Sequence, residues 1–481
     1  MIGKFNQRPH IVLIVSRGEA VRNFLYSDTL PTLSKDAQVT LLSVIDDERF
    51  NARFRPYVEQ IIPLRQYRER RLVTTLRHIL HEAHFRWLWS KVAQNVWEIR
   101  AEKARTAYQK VRWAFFRSWA RVLANRPALE TLTELERYLT WLLRPNDDFI
   151  TLFKELQPNL VFNCSHIHGQ AGELPVKIAH RLGIPTAGFI FSWDNLTSRS
   201  RILVPYDYYF VWHERMKQQL LSIYPKIAPE KVFVTGTPQF DFHFKPEFHL
   251  SRKELAQRIG IDPKRPFVFY TTGIAKHFPE EHHHVELIAD VLQEIDISQR
   301  PQLVVRTYVK GTSQEMNALA ARNLPDVIFP PVLWDEKWAT PLYEDLAIFT
   351  SCLHHAAMGI NAASTVSLEL LMFDKPVLNI GFDPPGSQIP HSFRWIRHIT
   401  FDHYQPVVDS RAVDVAYSPD DISILVYRSL TQSTVNSAAR QLLISHMFGG
   451  TLDGCAGVRV AMCLLQLALK SVKTRSRKSV G

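Results

Sequence analysis

A chain of 481 residues exceeds what one hydrophobic core organises, so two or more domains are expected. With 46% hydrophobic and 22% charged residues it can bury sizeable cores, and its four scattered cysteines, which form no CxxC pair, read as reduced thiols rather than as a disulfide framework or a zinc site. The net charge of +11 is excluded from most of the chain: fifteen Lys and Arg face four acids between Arg65 and Arg126, and the remainder is neutral.

The N-terminal run "HIVLIVS" (10–16) is too short and too poorly flanked for a signal peptide, and reads as a buried strand. "EAVRNFLYSDTLPTL" (19–33) follows as a helix and "QVTLLSV" (38–44) as a second strand. Short, fully apolar strands separated by helices predict a parallel sheet covered on both faces. The basic segment interrupts this alternation. It holds five of the eleven tryptophans, and Phe85, Trp89, Val92, Val96 and Ile99, like Trp113, Phe116, Ala120 and Leu123, recur at helical spacing. The segment therefore reads as a helical, Trp-rich insertion over 64–150.

Strands "NLVFNCS" (159–165), "PTAGFIF" (185–191), "YDYYFVW" (206–212) and "KVFVTG" (231–236) resume the pattern, with a helix over 173–183 closed by Gly183. Turn residues after 236 mark a boundary. "FVFYTTG" (267–273) then opens a second α/β series through "QLVVRTY" (302–308), "DVIFPP" (326–331), "AAMGINAAS" (356–364) and "PVLNIGF" (376–382), with helices predicted near 281–295 and 313–322. The expected organisation is an α/β chain of two tandem Rossmann-like domains, 1–240 and 241–440, with an amphipathic helix and basic tail over 441–481. No window reaches about 18 uninterrupted apolar residues.

"INAASTVSLELLMFDKPVLNIGF" (360–382) carries the most chemistry. Small residues leading into a helix let a phosphate approach unpaired N–H groups at the positive end of the dipole, with Ser364 and Thr365 adding hydroxyl donors. If Ser364 opens the helix, Glu369 lies over one turn further in, where a carboxylate can accept from a ribose diol. The plain alternative is an N-capped core helix.

This stretch resembles the donor-binding segment of GT-B glycosyltransferases, in which a small-residue turn, a helix carrying an acid and a "DKPV"-like return to a strand recur. "SRGEAVRNFL" (16–25) is similar to the first strand–loop–helix of that superfamily and "GTPQFDFHF" (236–244) to its crossover between domains. "FSWDNLTSRS" (191–200) resembles bacterial cell-surface carbohydrate enzymes, including glycerophosphate transferases. The resemblance covers roughly 10–50 and 155–410. It implies a nucleotide-activated donor held by Gly273, Lys276, Arg306, Asn361, Ala362, Ala363, Ser364, Thr365 and Glu369, and a glycan or lipid-linked acceptor. Where many relatives carry Arg-Pro-His, this chain has Arg306-Thr307-Tyr308, leaving Arg306 as the candidate phosphate clamp. No DxD stands at a strand end, in keeping with a metal-independent enzyme that needs no cofactor beyond its nucleotide-sugar substrate.

The base candidates sit at strand ends of the first domain: Glu19, His166, with His168 beside it, and Asp194. His166-x-His168 is also a metal signature of amidohydrolase barrels, but no further ligand series accompanies it. Neither GxGxxG nor GxxxxGK[ST] occurs. A glycosyltransferase of bacterial surface-polysaccharide synthesis is the expected function. The alternatives are a glycerophosphotransferase or nucleotide-sugar epimerase on the same fold, or a non-catalytic binding module. Trp and Arg interleaved over 65–126 suit an anionic membrane surface, so a cytoplasmic, peripherally attached protein with no nucleic-acid partner is expected.

Overall fold

The structure is a computed structural model and describes residues 8–166, 170–309 and 311–479. The chain forms two compact units: Met1–Trp89, Ala104–Asp241 and Thr451–Gly481 make the first, and Ser90–Lys103 with Phe242–Gly450 the second.

The first unit is built on a seven-stranded parallel sheet of β1 (His10–Val15), β2 (Gln38–Ser43), β3 (Gln60–Pro63), β4 (Leu160–Asn163), β5 (Thr186–Phe189), β6 (Tyr208–Val211) and β7 (Val232–Val234). Their order is β3-β2-β1-β4-β5-β6-β7. β1 is buried from Ile11 to Val15, as its uninterrupted apolar run requires of a strand covered on both faces. The predicted helix over 19–33 is split into a short π-helix, Val21–Leu25, and an α-helix, Thr29–Asp36. β3, short and half polar, is an edge strand that the sequence pattern did not announce.

The insertion consists of helices Arg71–Leu88, Lys91–Lys103, Ala107–Leu123 and Arg126–Leu142. Lys91–Lys103 belongs to the second unit, where Asn95 donates to the Ser392 carbonyl at 2.7 Å. The other three stay with the first sheet. They are fixed there by buried charges: Glu136 accepts from Arg77 Nε at 2.6 Å and from Lys177 Nζ at 2.7 Å, and Arg77 also reaches Glu69 at 3.0 Å. Burial raises the Glu136 pKa, but Lys177 and Arg77 outweigh it and hold the carboxyl below its ordinary value.

The C-terminal helix, Ala456–Ser479, returns to the first unit. The Asp241 carboxylate receives the N–H groups of Ala456 and Gly457 at its start, at 3.0 and 2.7 Å. By length and composition Ser437–Lys473 is apolar enough to cross a membrane, but half of that window is buried. Val460, Ala461, Leu464 and Ala468 are fully covered, and the helix packs on Thr29–Asp36.

The second unit carries β8 (Phe267–Thr271), β9 (Gln302–Arg306), β10 (Val327–Ile328), a two-residue hairpin β11 (Trp334–Asp335) and β12 (Thr340–Pro341), β13 (Met358–Asn361), β14 (Val377–Ile380) and β15 (Asp414–Ala416). Its six-stranded parallel sheet runs β10-β9-β8-β13-β14-β15. Each sheet is thus doubly wound, with its order reversing once: between β1 and β4 in the first unit, and between β8 and β13 in the second.

Replacing Glu136 by Gln leaves Lys177 buried without its counter-charge and Arg77 with one carboxylate partner fewer. Urea unfolding should show a loss of about 3–5 kcal/mol, whereas an unchanged midpoint would mean that water reaches the network.

Candidate functional site

In a doubly wound sheet the connections on either side of the reversal run to opposite faces, and the carboxyl ends of the two central strands are left as a crevice for ligands. In the second unit those ends are Thr271 on β8 and Asn361 on β13, one step beyond the registered pair Tyr270–Ile360. Both residues are buried, and Thr271 Oγ1 and Asn361 Nδ2 have no hydrogen-bond partner among the described residues. Buried polar atoms are seldom left so without a ligand or water to meet them.

After β13 the chain turns through Ala362 and Ala363, the latter at φ +57°, a left-handed conformation that costs an alanine on the order of 1 kcal/mol. The turn is held by Asn361 Oδ1, which accepts from the Ser364 N–H at 3.0 Å, from Ser367 Oγ at 2.9 Å and from Asn379 Nδ2 at 3.0 Å. Tyr404 completes the network by donating to Asn379 Oδ1 at 2.7 Å. Ser364 is the N-cap of helix Thr365–Met372, its hydroxyl accepting from the Val366 N–H at 3.3 Å. Residues 361–365, read as a phosphate cradle, therefore stand at the reversal point on a rigid buried base.

On the other side of the crevice β8 runs into Thr272 and Gly273, with Lys276 exposed on the turn beyond. A Cβ at Gly273 would lie 1.9 Å from the Phe278 ring, so any larger residue there would have to displace that ring. The Gly273 N–H is held by both carboxylate oxygens of Glu281, at 3.0 and 3.1 Å, and the Tyr270 hydroxyl donates to the same group at 3.1 Å. Burial raises the Glu281 pKa to about 8, with Gly273 and Tyr270 pulling the other way. Glu281 was missed in the sequence, where it stands second in a polar "EEHHH" run (280–284) that reads as solvated.

Two donor-side expectations need correction. Arg306 ends β9 next to β8, but its guanidinium is buried and paired with Asp345, which also accepts from Trp334 Nε1 at 3.0 Å. A cation neutralised in this way is a structural tie rather than a phosphate clamp. Glu369 lies within the helix as expected, yet its side chain is only 6% exposed and its Oε1 meets His243 Nε2 at 3.0 Å. His243 is braced in turn by Thr350 at 3.1 Å. That carboxylate is committed to the interior and not to a ribose.

In the first unit the strand-end candidates gather around Phe191, just past β5. Arg17, after β1, grips the Glu19 carboxylate through two nitrogens and lies over the Phe191 ring at 4.9 Å. His166, after β4, has its Nδ1 3.3 Å from the Phe191 N–H. Burial lowers its pKa to about 3, against the pull of the Phe189 carbonyl, which makes the neutral ring a weak base for the proton transfer expected of it. Asp194 accepts from Ser198 Oγ at 2.5 Å, from Ser192 Oγ and from Asn195 Nδ2 at 3.3 Å, the pattern of a turn-forming aspartate. His168 lies outside the described residues.

No protein-family model matches the chain, and no curated protein matches it in sequence. Solved structures do match its fold. The Neisseria meningitidis UDP-GlcNAc 2-epimerase bound to UDP-GlcNAc aligns with a TM-score of 0.52 and 12% identity, over 95% of this chain and 100% of its own. S. aureus MnaA, solved with UDP, gives 0.52 and 11% over 94% of each chain. The Methanocaldococcus jannaschii UDP-GlcNAc 2-epimerase gives 0.51 and 12%, over 94% of this chain and 99% of its own. The fold is GT-B, with two doubly wound α/β units.

Glu281 supplies a pH signature. Its folded-state pKa lies above the unfolded carboxylate value, so the folded protein binds the extra proton. Stability is full below the unfolded pKa and is lost as pH rises towards about 8. Glu281→Gln should remove this slope, and the variant should gain on wild type by a few kcal/mol between pH 5 and roughly pH 8. Parallel stability profiles for the two proteins would show instead that the carboxylate is ionised throughout.

Proposed function

We propose that the protein binds a nucleoside-diphosphate sugar at the reversal point of its second sheet and transfers the sugar to a glycan or lipid-linked acceptor. The observation that carries the reading is the pair of buried, unpartnered polar atoms on Thr271 and Asn361, set between the Gly273 turn and the capped start of helix Thr365–Met372. A pyrophosphate there would meet the helix N-terminus, the Ser364 and Thr365 hydroxyls and the ammonium of Lys276. These donors offset the charge on a departing nucleoside diphosphate without a metal, so turnover should persist in EDTA. Glu19, at a strand end of the first unit, is the remaining base candidate once released from Arg17.

A second reading, C2 epimerisation of the nucleotide sugar, is favoured by the fold shared with two UDP-GlcNAc 2-epimerases and with a protein solved with UDP. The two readings part on one requirement: an epimerase turns over its nucleotide sugar alone, whereas a transferase waits for an acceptor.

Thermal denaturation with UDP, CDP, GDP, dTDP and CMP tests the shared premise. A nucleotide at about 100 times its dissociation constant should add roughly 2.7 kcal/mol of stability. Ser364→Asp keeps a good N-cap while placing a negative charge where the pyrophosphate would sit. That variant should fold normally and lose the response. No shift with any nucleotide would sink the donor site. Given binding, proton NMR of the matching nucleotide sugar without acceptor should show no new anomeric signal, and the appearance of one would establish the epimerase.

A further inference from the structure

Helix Ala107–Leu123 is apolar on two sides. Its inner stripe of Trp113, Phe116, Ala120 and Leu123 faces helix Arg71–Leu88, with Ala120 fully buried and the Phe116 ring edge-on to His78 at 6.0 Å. A second stripe, Tyr108, Val111, Phe115, Trp119 and Val122, recurs at spacings of three, four, four and three, and is exposed by 73, 70, 50, 46 and 70%. One apolar face satisfies a helix lying on a soluble core; the second has nothing to bury it. It extends for about 21 Å along the helix axis.

The polar positions of the same helix are one-sided in sign. They include Lys110, Arg112, Arg117 and Arg121 and no acid. Arg112 borders the exposed stripe next to Trp119, and Lys110, Arg117 and Arg121, at spacings of seven and four, form a basic row about 140° further round the helix. Arg112 and Arg117 lie over the rings of Phe116 and Trp113 at 5.7 and 5.9 Å. A capping box formed by Thr106 and Gln109 fixes the helix start. The exposed face therefore belongs to an ordered helix and is not the product of a frayed one.

We propose that this face is a membrane-docking surface, with the helix lying in the plane of an anionic bilayer, its outer stripe among the upper acyl chains, Arg112 at the stripe's edge and the other long cationic side chains reaching lipid phosphates. Charge complementarity selects this occupant. A second copy of the chain would bring four cations against four cations with no acid between them. Single-stranded nucleic acid would find phosphate partners, but Val111 and Val122 offer no surface on which a base stacks. An anionic headgroup layer satisfies the cations and the aliphatic side chains together. The C-terminal helix, by contrast, buries its apolar stripe in the first unit and takes no part.

Flotation of the full-length protein tests the assignment, using vesicles of phosphatidylcholine alone or mixed with phosphatidylglycerol. The protein should float with the mixed vesicles and not with phosphatidylcholine alone, and should be released by high salt. Phe115→Ser with Trp119→Ser, and separately Lys110→Glu with Arg121→Glu, should each weaken flotation by at least about tenfold without moving the melting temperature, since all four side chains lie on the outside. Flotation unaffected by both double variants would overturn the proposal, as would its absence in wild type. A wild-type dimer that Phe115→Ser with Trp119→Ser converts to monomer would assign the face to a second copy, and DNA binding without vesicle binding would assign it to nucleic acid.

Discussion

A parallel sheet delivers every strand's carboxyl end to one edge, and a reversal of strand order opens that edge at one place only. Everything functional in the second unit follows from this constraint. The Gly273 turn and the Asn361–Thr365 turn are separated by about ninety residues of chain, yet each is the first turn after one of the two central strands. Their juxtaposition needs no attraction between them. It is fixed by the registered β8–β13 pairing, which also brings Thr271 beside Asn361.

What the sequence could disclose was whatever is encoded locally. Apolar runs marked every central strand of both sheets, and the Ser364 cap was legible because a hydroxyl after small residues is a helix start wherever it occurs. What it could not disclose were partners distant along the chain. Asp345 lies thirty-nine residues from Arg306, and His243 lies one hundred and twenty-six from Glu369. Each turns a residue with binding chemistry into an internal tie. Composition alone cannot distinguish an arginine that meets a phosphate from one that meets an aspartate. The same limit hid Glu281, whose importance lies in reaching back eight residues to the Gly273 N–H. β3 was obscure for another reason: an edge strand is short, and its half-exposed residues carry no apolar signature.

The candidates in the first unit show how a plausible catalytic set can prove to be scaffolding. Glu19, His166 and Asp194 do gather at one sheet edge, as doubly wound topology demands. Each is already engaged, by Arg17, by the Phe191 N–H and by a ring of short polar side chains respectively. Engagement is not inertness, because a carboxylate held by arginine is well oriented. It does mean that any proton-accepting role for one of them requires a rearrangement which a substrate would have to drive.

The basic insertion adds a mechanical argument. Taking Arg77, Lys177 and Glu136 out of water is costly, and an apolar trio of similar volume would hold the helices together as well. What the charged trio adds is directionality. Glu136 accepts from two cations on two other helices, so Arg71–Leu88, Arg126–Leu142 and Glu173–Arg181 have one satisfactory arrangement, not several. Helix Ala107–Leu123 packs on the first of these. Its orientation is thus inherited from a buried ion network anchored to the helix that follows β4. An apolar face whose direction is set so firmly, at the expense of exposing Phe115 and Trp119 to water, is better explained by a partner that covers it than by tolerance of a loose surface.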